Sequence, residues 1–183
     1  MRIIIGILIA MIAVVATTRA QDKHSPYKGE EGRQIKALSS EDITAYLSGQ
    51  GMGLAKAAEL NHYPGPKHVL DLAVDLKLSD KQAAETRASY DRMHSEATRL
   101  GAVIVEKERH LDHLFALKHI DAERLKSVTD EIAKLQGELR FVHLRAHLEM
   151  RQILTAEQIE KYAQLRGYKD GSHSHGDHQK KKH

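Results

Sequence analysis

Two neighbouring segments of the chain carry long strips of apolar residues spaced alternately three and four positions apart. The first strip runs from Tyr90 to Leu114, and the second runs from Leu125 to Glu149. Only Lys107 and Glu149 interrupt this apolar pattern. Sustained spacing of this kind is typical of helices that pack along a single seam, as they do in coiled coils. It therefore constrains the fold more than any other feature of the sequence.

The connection between the two strips is short. Only four residues, Lys118-His119-Ile120-Asp121, separate the helices, which must therefore be neighbours in space. All three prolines precede residue 67, and the rest of the chain is rich in residues that lose little side-chain freedom in a helix. The sequence predicts an all-α protein built on a long antiparallel helical hairpin, with helices at about 80–118 and 122–152.

Shorter helices are predicted on either side of the hairpin. Proline removes a backbone donor and restricts the preceding residue, so Pro64 and Pro66 should end the first of them. The glycines at positions 49, 51 and 53 weaken the same helix. We predict flanking helices at 39–60, 67–76 and 156–166, with Gly167 capping the last and with Val69, Leu70, Ala73, Val74 and Leu76 on the buried side of the second.

Three of the helix starts carry the same capping pattern. A serine or threonine is followed three residues later by an acidic or amide side chain, and each can bond to the backbone N–H of the other. Loss of such a cap costs about 0.5–2 kcal/mol of stability. The three predicted capping boxes pair Ser39 with Asp42, Ser79 with Gln82, and Thr155 with Gln158.

The first twenty residues have the pattern of a secretory signal peptide. Arg2 precedes an apolar run, and small residues at Thr18 and Ala20 mark a cleavage site before Gln21. The run is short for a membrane span, although an uncleaved anchor is the alternative. The predicted organisation is a signal peptide at 1–20, a flexible lead-in at 21–37, a helical domain at 38–168 and a disordered tail at 169–183 rich in histidine and lysine.

Composition excludes several classes of function. The chain has no cysteine, which rules out disulfides, thiolate metal sites and a cysteine nucleophile. Removal of Arg2 and Arg19 with the signal peptide leaves 26 basic and 25 acidic residues, so nucleic acid is not an expected partner. No nucleophile motif, phosphate-binding loop or catalytic pair of carboxylates occurs, and we do not expect an enzyme.

Two of the capping boxes also resemble a family motif. Leu78-Ser79-Asp80-Lys81-Gln82 and Leu154-Thr155-Ala156-Glu157-Gln158 follow the pattern L-[TS]-x-x-Q, one before and one after the hairpin. With the export signal and the absence of cysteine, they resemble the LTXXQ family over roughly residues 38–165. This family comprises the periplasmic Spy/CpxP chaperones of bacteria and the related ZraP and CnrX metal-resistance proteins.

The resemblance implies two functions. The first is a periplasmic, homodimeric, ATP-independent stress chaperone that holds unfolded client proteins on an exposed helical surface, and CpxP-like members also bind a membrane sensor protein. The second is a periplasmic protein that binds or senses zinc, nickel or copper. For the chaperone, the candidate exposed apolar residues are Met52, Leu54, Val103, Val105 and Phe115.

Thirteen histidines are the residues that could bind metal. His143 and His147 are four positions apart and share one helical face. The register of the hairpin places His94 nearly opposite His143, so the three imidazoles could approach one zinc, nickel or copper ion. Glu149 and Met150 are conceivable fourth ligands. The alternative is that these histidines are ordinary polar residues on a helix flank and that no cofactor is required.

The C-terminal tail offers a second, looser set of donors. His173, His175 and His178 lie in a stretch interrupted by two glycines, which cannot form a packed core. A histidine-rich segment of this kind can chelate metal without a preformed geometry. It can equally serve only to keep the protein soluble.

Overall fold

The structure is a computed structural model, and it describes residues 25–168. The predicted signal peptide (1–20) and the histidine-rich tail (169–183) lie outside the described residues. The chain divides into two units between Glu31 and Gly32. The described part of the first unit is short and consists of turns, closed by hydrogen bonds from the Lys28 N–H to the Ser25 carbonyl and from the Glu30 N–H to the Tyr27 carbonyl.

The second unit is helical, which confirms the predicted fold class. Apart from one isolated bridge between Ile35 and Leu38, its described residues contain no β structure. None of the helices in residues 25–168 combines the length and the apolar character needed to cross a bilayer. The helices are α1 (Ser40–Leu47), α2 (Lys56–Glu59), α3 (Pro66–Asp71), α4 (Asp80–Ala116), α5 (Ala122–Ile153) and α6 (Ala156–Leu165).

The long pair α4 and α5 packs as the predicted antiparallel hairpin. Both residues that break the apolar strips make polar contacts between the two helices. Lys107 forms an ion pair with Glu131. Glu149 accepts hydrogen bonds from the Ser89 hydroxyl at 2.5 Å and from the Arg92 guanidinium at 2.9 Å. The buried seam between these contacts consists of Met93, Ala97, Leu100, Ile104, Leu139, Val142 and Ala146.

All three predicted capping boxes form, each with both of its reciprocal bonds. Beyond capping, the glutamines of the two L-[TS]-x-x-Q boxes bind each other. Gln82 Nε2 donates to Gln158 Oε1 at 2.8 Å, and Gln158 Nε2 lies 3.1 Å from Gln82 Oε1. Gln82 also donates to the carbonyl of Ile153, and Gln158 to the carbonyl of Leu76. The two boxes therefore tie the starts of α4 and α6 together.

The two flanking helices before the hairpin are shorter than predicted, whereas α6 has essentially the predicted bounds. The single helix at 39–60 is wrong: α1 stops at Leu47, because Gly49 takes a left-handed φ of 61° and turns the chain, and only one further helical turn, α2, follows. Helix α3 likewise stops at Asp71, where the Ala73 N–H bonds back three residues to the Leu70 carbonyl instead of four.

The buried side predicted for 67–76 is partly wrong for the same reason. Val69 and Leu76 are buried beside Met150, Leu154 and Tyr162 in a second apolar cluster. Val74, in contrast, is 90% exposed. Gly167 ends α6 as predicted, with bonds from the N–H groups of residues 167 and 168 to the carbonyls of Gln164 and Ala163.

Part of the segment predicted as a flexible lead-in packs on α4. Ile35 and Leu38 are buried against Val105, and the Lys36 N–H donates to Asp112 at 3.3 Å. Val105 is therefore covered, and its predicted exposure is wrong. Leu54 and Val103 are half-buried, while Met52 and Phe115 are exposed as predicted.

Helix α1 crosses α4 at a glycine. A Cβ atom added to Gly101 would lie 2.1 Å from the Tyr46 carbonyl oxygen, so the two backbones meet at a distance that only glycine permits. Gly137 in α5 is the opposite case, because nothing lies within 4 Å of the Cβ that a side chain would add there. The two helix-interior glycines thus have different physical roles.

We expect Gly101→Ala to lower the free energy of unfolding by about 1–3 kcal/mol, because α1 must move away from α4. Gly137→Ala is the matched control and should raise it by about 0.5–1 kcal/mol, since alanine is the better helix former. Urea denaturation followed by circular dichroism measures both. Equal effects of the two substitutions would contradict the close crossing.

Candidate functional site

A cavity of about 790 Å³ lies where α4 and α5 meet the two irregular connections of the N-terminal half. One wall is the glycine-rich loop at 48–53, and another is the turn at 65–68. We call it the histidine cavity. The side chains that line it and can bind a metal include His68, His94, His143, His147, Met52 and Met93.

The structure brings the three predicted helix histidines to this one cavity but does not assemble them around a point. His94 is exposed, and its ring stacks on Tyr90 with the centroids 5.6 Å apart. Within residues 25–168, no three histidine, aspartate or glutamate side chains are placed to hold a metal ion together. The tail histidines His173, His175 and His178 lie outside the described residues.

His147 is buried and held in a defined orientation. Its exposed fraction is 8%, and its Nδ1 lies 2.7 Å from the carbonyl oxygen of Tyr63. Because a carbonyl only accepts hydrogen bonds, Nδ1 carries a proton, and in the neutral ring Nε2 then has the lone pair that a metal needs. The Arg151 guanidinium lies over the Tyr63 ring, 4.9 Å from its centroid, and so makes a further contact with that residue. A ring nitrogen bonded to a backbone carbonyl is the usual support for a metal-binding histidine.

His143, one helical turn earlier, is also buried, with an exposed fraction of 5%. Its Nε2 has no hydrogen-bond partner. Burial, together with the neighbouring His147, lowers the pKa of His143 below its usual value, so the ring is held neutral. A buried polar atom left without a partner costs about 1–3 kcal/mol. Of the residues that line the cavity, His143 and Arg166 each have a buried nitrogen without a hydrogen-bond partner, and only the imidazole nitrogen can bind a metal.

Glu59 joins α2 to the C-terminal helix beside the cavity. Its Oε1 accepts hydrogen bonds from the Tyr162 hydroxyl at 2.6 Å and from the Tyr168 hydroxyl at 3.0 Å, and Arg166 Nε lies 3.4 Å away. Its Oε2 lies 3.7 Å from His147 Nδ1. Burial and the Glu59 carboxylate raise the pKa of Tyr162, so its hydroxyl remains a donor. Its Oε1 atom is thus already occupied by protein groups, whereas Oε2 faces His147.

The two conceivable fourth ligands lie elsewhere. Glu149 is bound by Ser89 and Arg92 on another face of the hairpin, and Met150 is fully buried in the second apolar cluster. Neither lines the histidine cavity. Three residues that do line it were not predicted from the sequence as metal ligands, namely His68, Met52 and Met93. The signal for Met93 was its place beside His94, whereas Met52 and His68 depend on the paths of loops that periodicity does not predict.

The fold and this cavity define a helical-hairpin protein whose longest helices present histidines to one shared space. Residues 52–161 match the family model described as heavy-metal resistance. The match spans more than half of the chain, which therefore belongs to the heavy-metal resistance family. It includes both L-[TS]-x-x-Q boxes and agrees with the LTXXQ resemblance at the level of the family. Searches of curated proteins and of solved structures found no match.

We expect the free energy of unfolding to fall as the pH is lowered from about 7.5 to about 5.5. The lowered pKa of His143 means that the unfolded chain takes up a proton at a pH where the folded chain does not, so acid favours unfolding. Urea titrations at several pH values measure this dependence. His143→Asn should weaken it, whereas His113→Asn, at an exposed position on α4, should not. An unchanged pH dependence in His143→Asn would rule out this residue as a source.

Proposed function

We propose that the chain is a metal-binding protein of the heavy-metal resistance type, which takes a transition-metal ion such as zinc, nickel or copper at His143 and His147. The observation that carries this proposal is a pair of buried imidazoles one helical turn apart on the wall of a single cavity. One ring is held by a carbonyl, and the other has a buried nitrogen without a partner. Neutral imidazole binds all three metals.

A third ligand has to be recruited. His94 lines the same cavity. Its exposed ring stacks on the ring of Tyr90. Exposed side chains change rotamer in nanoseconds or less, so this imidazole is free to turn towards a bound ion. Neutral His143 is ready to bind because no proton has to leave it first. We propose that binding draws His94 to the two buried rings.

Binding at His147 would also reach the rest of the domain. The ring is bonded to Tyr63, which belongs to the connection between α2 and α3, and it faces Glu59. Glu59 in turn accepts the hydroxyls of Tyr162 and Tyr168 near the C-terminal end. An ion that fixes this ring would therefore stiffen the joint between the hairpin and both flanking segments, which suits a sensor.

The test is titration calorimetry with Zn²⁺, Ni²⁺ and Cu²⁺ on the full chain, with the tail histidines at 173, 175, 178 and 183 replaced by asparagine. We expect one ion per chain, and His147→Gln should weaken binding at least about tenfold, which corresponds to about 1.4 kcal/mol. His113→Gln is the control and should bind as the parent does. Affinity no tighter than about millimolar for every ion would reject the proposal.

Client holding is the second candidate function, and exposed apolar side chains favour it. Phe115, Leu117 and Leu125 are exposed near the turn of the hairpin. Phe141 and Leu148 are 58% and 53% exposed and lie two turns apart on α5. Exposed apolar residues beside long basic side chains can bind unfolded segments of many sequences. We propose that the protein also acts as an ATP-independent chaperone for such clients.

The proposed setting is the periplasm, reached through a signal peptide at 1–20 that is then removed. We further propose that the chain works as a homodimer, since a thin hairpin layer leaves apolar area for a second copy to cover. A membrane sensor protein is a further proposed partner. Sedimentation equilibrium with and without metal would measure the mass of the assembly.

The chaperone proposal predicts suppressed light scattering when a reduced, unfolding client such as α-lactalbumin is mixed with an equimolar amount of the protein. Replacing both Phe141 and Leu148 with glutamine should weaken the suppression by at least about twofold, because apolar contact area is lost without disturbing a buried residue. Lys134→Gln, on the same helix, is the control. Unimpaired suppression by the double variant would show that clients do not use this face.

A further inference from the structure

We infer that the histidine cavity selects copper(I) over zinc(II), with Met52 and Met93 contributing thioether sulfurs beside the imidazoles of His143 and His147. This inference rests on the proposed metal-binding function and specifies its ion. The described residues contain three methionines, and two of them line this one cavity. The third, Met150, is fully buried in the second apolar cluster.

Packing does not account for Met52. The residue is 40% exposed on the wall of the cavity, between Gly51 and Gly53. Its backbone takes a left-handed φ of 45°, a conformation that side chains other than glycine, asparagine and aspartate rarely adopt. The same conformation occurs at His62 and Lys77, so it marks a turn of the chain here, and the exposure of Met52 on the cavity wall is the observation that carries the argument. The loop thus holds a flexible thioether at the open side of the cavity.

Met93 supplies the second sulfur from the opposite helix. It lies in the seam with Val142 and Ala146, which are the residues immediately before His143 and His147. It also lines the cavity together with both histidines. An unbranched thioether can change rotamer without leaving its packing site, so Met93 can serve the core and a ligand at once.

The donor chemistry separates the two metals. Zinc is bound by thiolate, imidazole and carboxylate, and the cavity offers no thiolate because the chain has no cysteine. The carboxylate in its lining, Glu59, is engaged through Oε1 by Tyr162 and Arg166. Thioethers are soft ligands that favour copper(I). The imidazoles and thioethers are all neutral donors, and the charge of Glu59 is paired with Arg166, so an ion of charge +1 leaves less uncompensated charge in a partly buried site than one of charge +2.

The experiment measures copper(I) and zinc(II) affinities of the full chain with the four tail histidines replaced by asparagine. Copper(I) is kept reduced with ascorbate and buffered by a colorimetric chelator, and zinc(II) is measured by competition with a zinc chelator. We expect Met52→Leu and Met93→Leu each to weaken copper(I) binding about tenfold or more while changing zinc(II) binding by less than about twofold. Met150→Leu is the matched control and should change neither. X-ray absorption at the copper edge should show sulfur scattering.

The outcomes separate this inference from the function on which it rests. Binding of neither metal would overturn both. Binding of both metals, with copper affinity unchanged in the methionine variants or with only nitrogen around copper, would overturn copper selection and leave a histidine metal site standing. An equal loss of copper and zinc affinity in Met52→Leu would also overturn the selection. Because the Met52 side chain is exposed, misfolding would not explain such a loss.

Discussion

The register of α4 against α5 determines which side chains can meet in this domain. Polar contacts between the helices hold it at two levels, Lys107 with Glu131 and Glu149 with Ser89 and Arg92. A slip of one turn would move one helix past the other by about 5.4 Å and break both contacts. In the register that they define, Met93 faces the turn that carries His143. The candidate site is therefore a product of the seam.

The open end of the hairpin is secured in a different way. The Oε1 atom of each motif glutamine accepts the N-cap N–H of its own helix and also pairs with the Nε2 atom of the other glutamine. The pair thereby links two chain segments 76 residues apart to one another. Helices α4 and α6 start from this shared point, and the buried cluster of Val69, Met150 and Tyr162 lies close to it in the same part of the fold. The two glutamines that cap their own helices thus also form a tertiary contact.

Much of this architecture follows from the sequence because its signals are periodic or local. The hairpin follows from the three-four spacing, and the capping boxes follow from side chains three residues apart. The flanking segments were harder to predict, because some of their turns use non-glycine residues in left-handed conformations, such as His62 and Lys77. Nothing in the sequence marks Lys77 as a turn, so the true extent of α3 was not predictable.

The candidate site also has a part that the sequence predicts and a part that it does not. Helical spacing alone brings His143 and His147 to one face, and the register brings His94 to the same cavity. The contact of His147 with Tyr63 and the four groups gathered at Glu59 depend on how irregular connections fold back, over separations of 84 to 109 residues. Such contacts leave no periodic trace. The support of His147 and the surroundings of Glu59 were therefore found only in the structure.

The position of Tyr63 before a proline has a consequence for proton placement. Pro64 confines Tyr63 to extended conformations, and this constraint aims its carbonyl at the imidazole of α5. The tautomer of a ring in one helix is thereby chosen by the stereochemistry of a turn that was synthesised 84 residues earlier. Were the turn relaxed, the ring would be free to exchange its two nitrogens as donor and acceptor, with the helix itself unaltered.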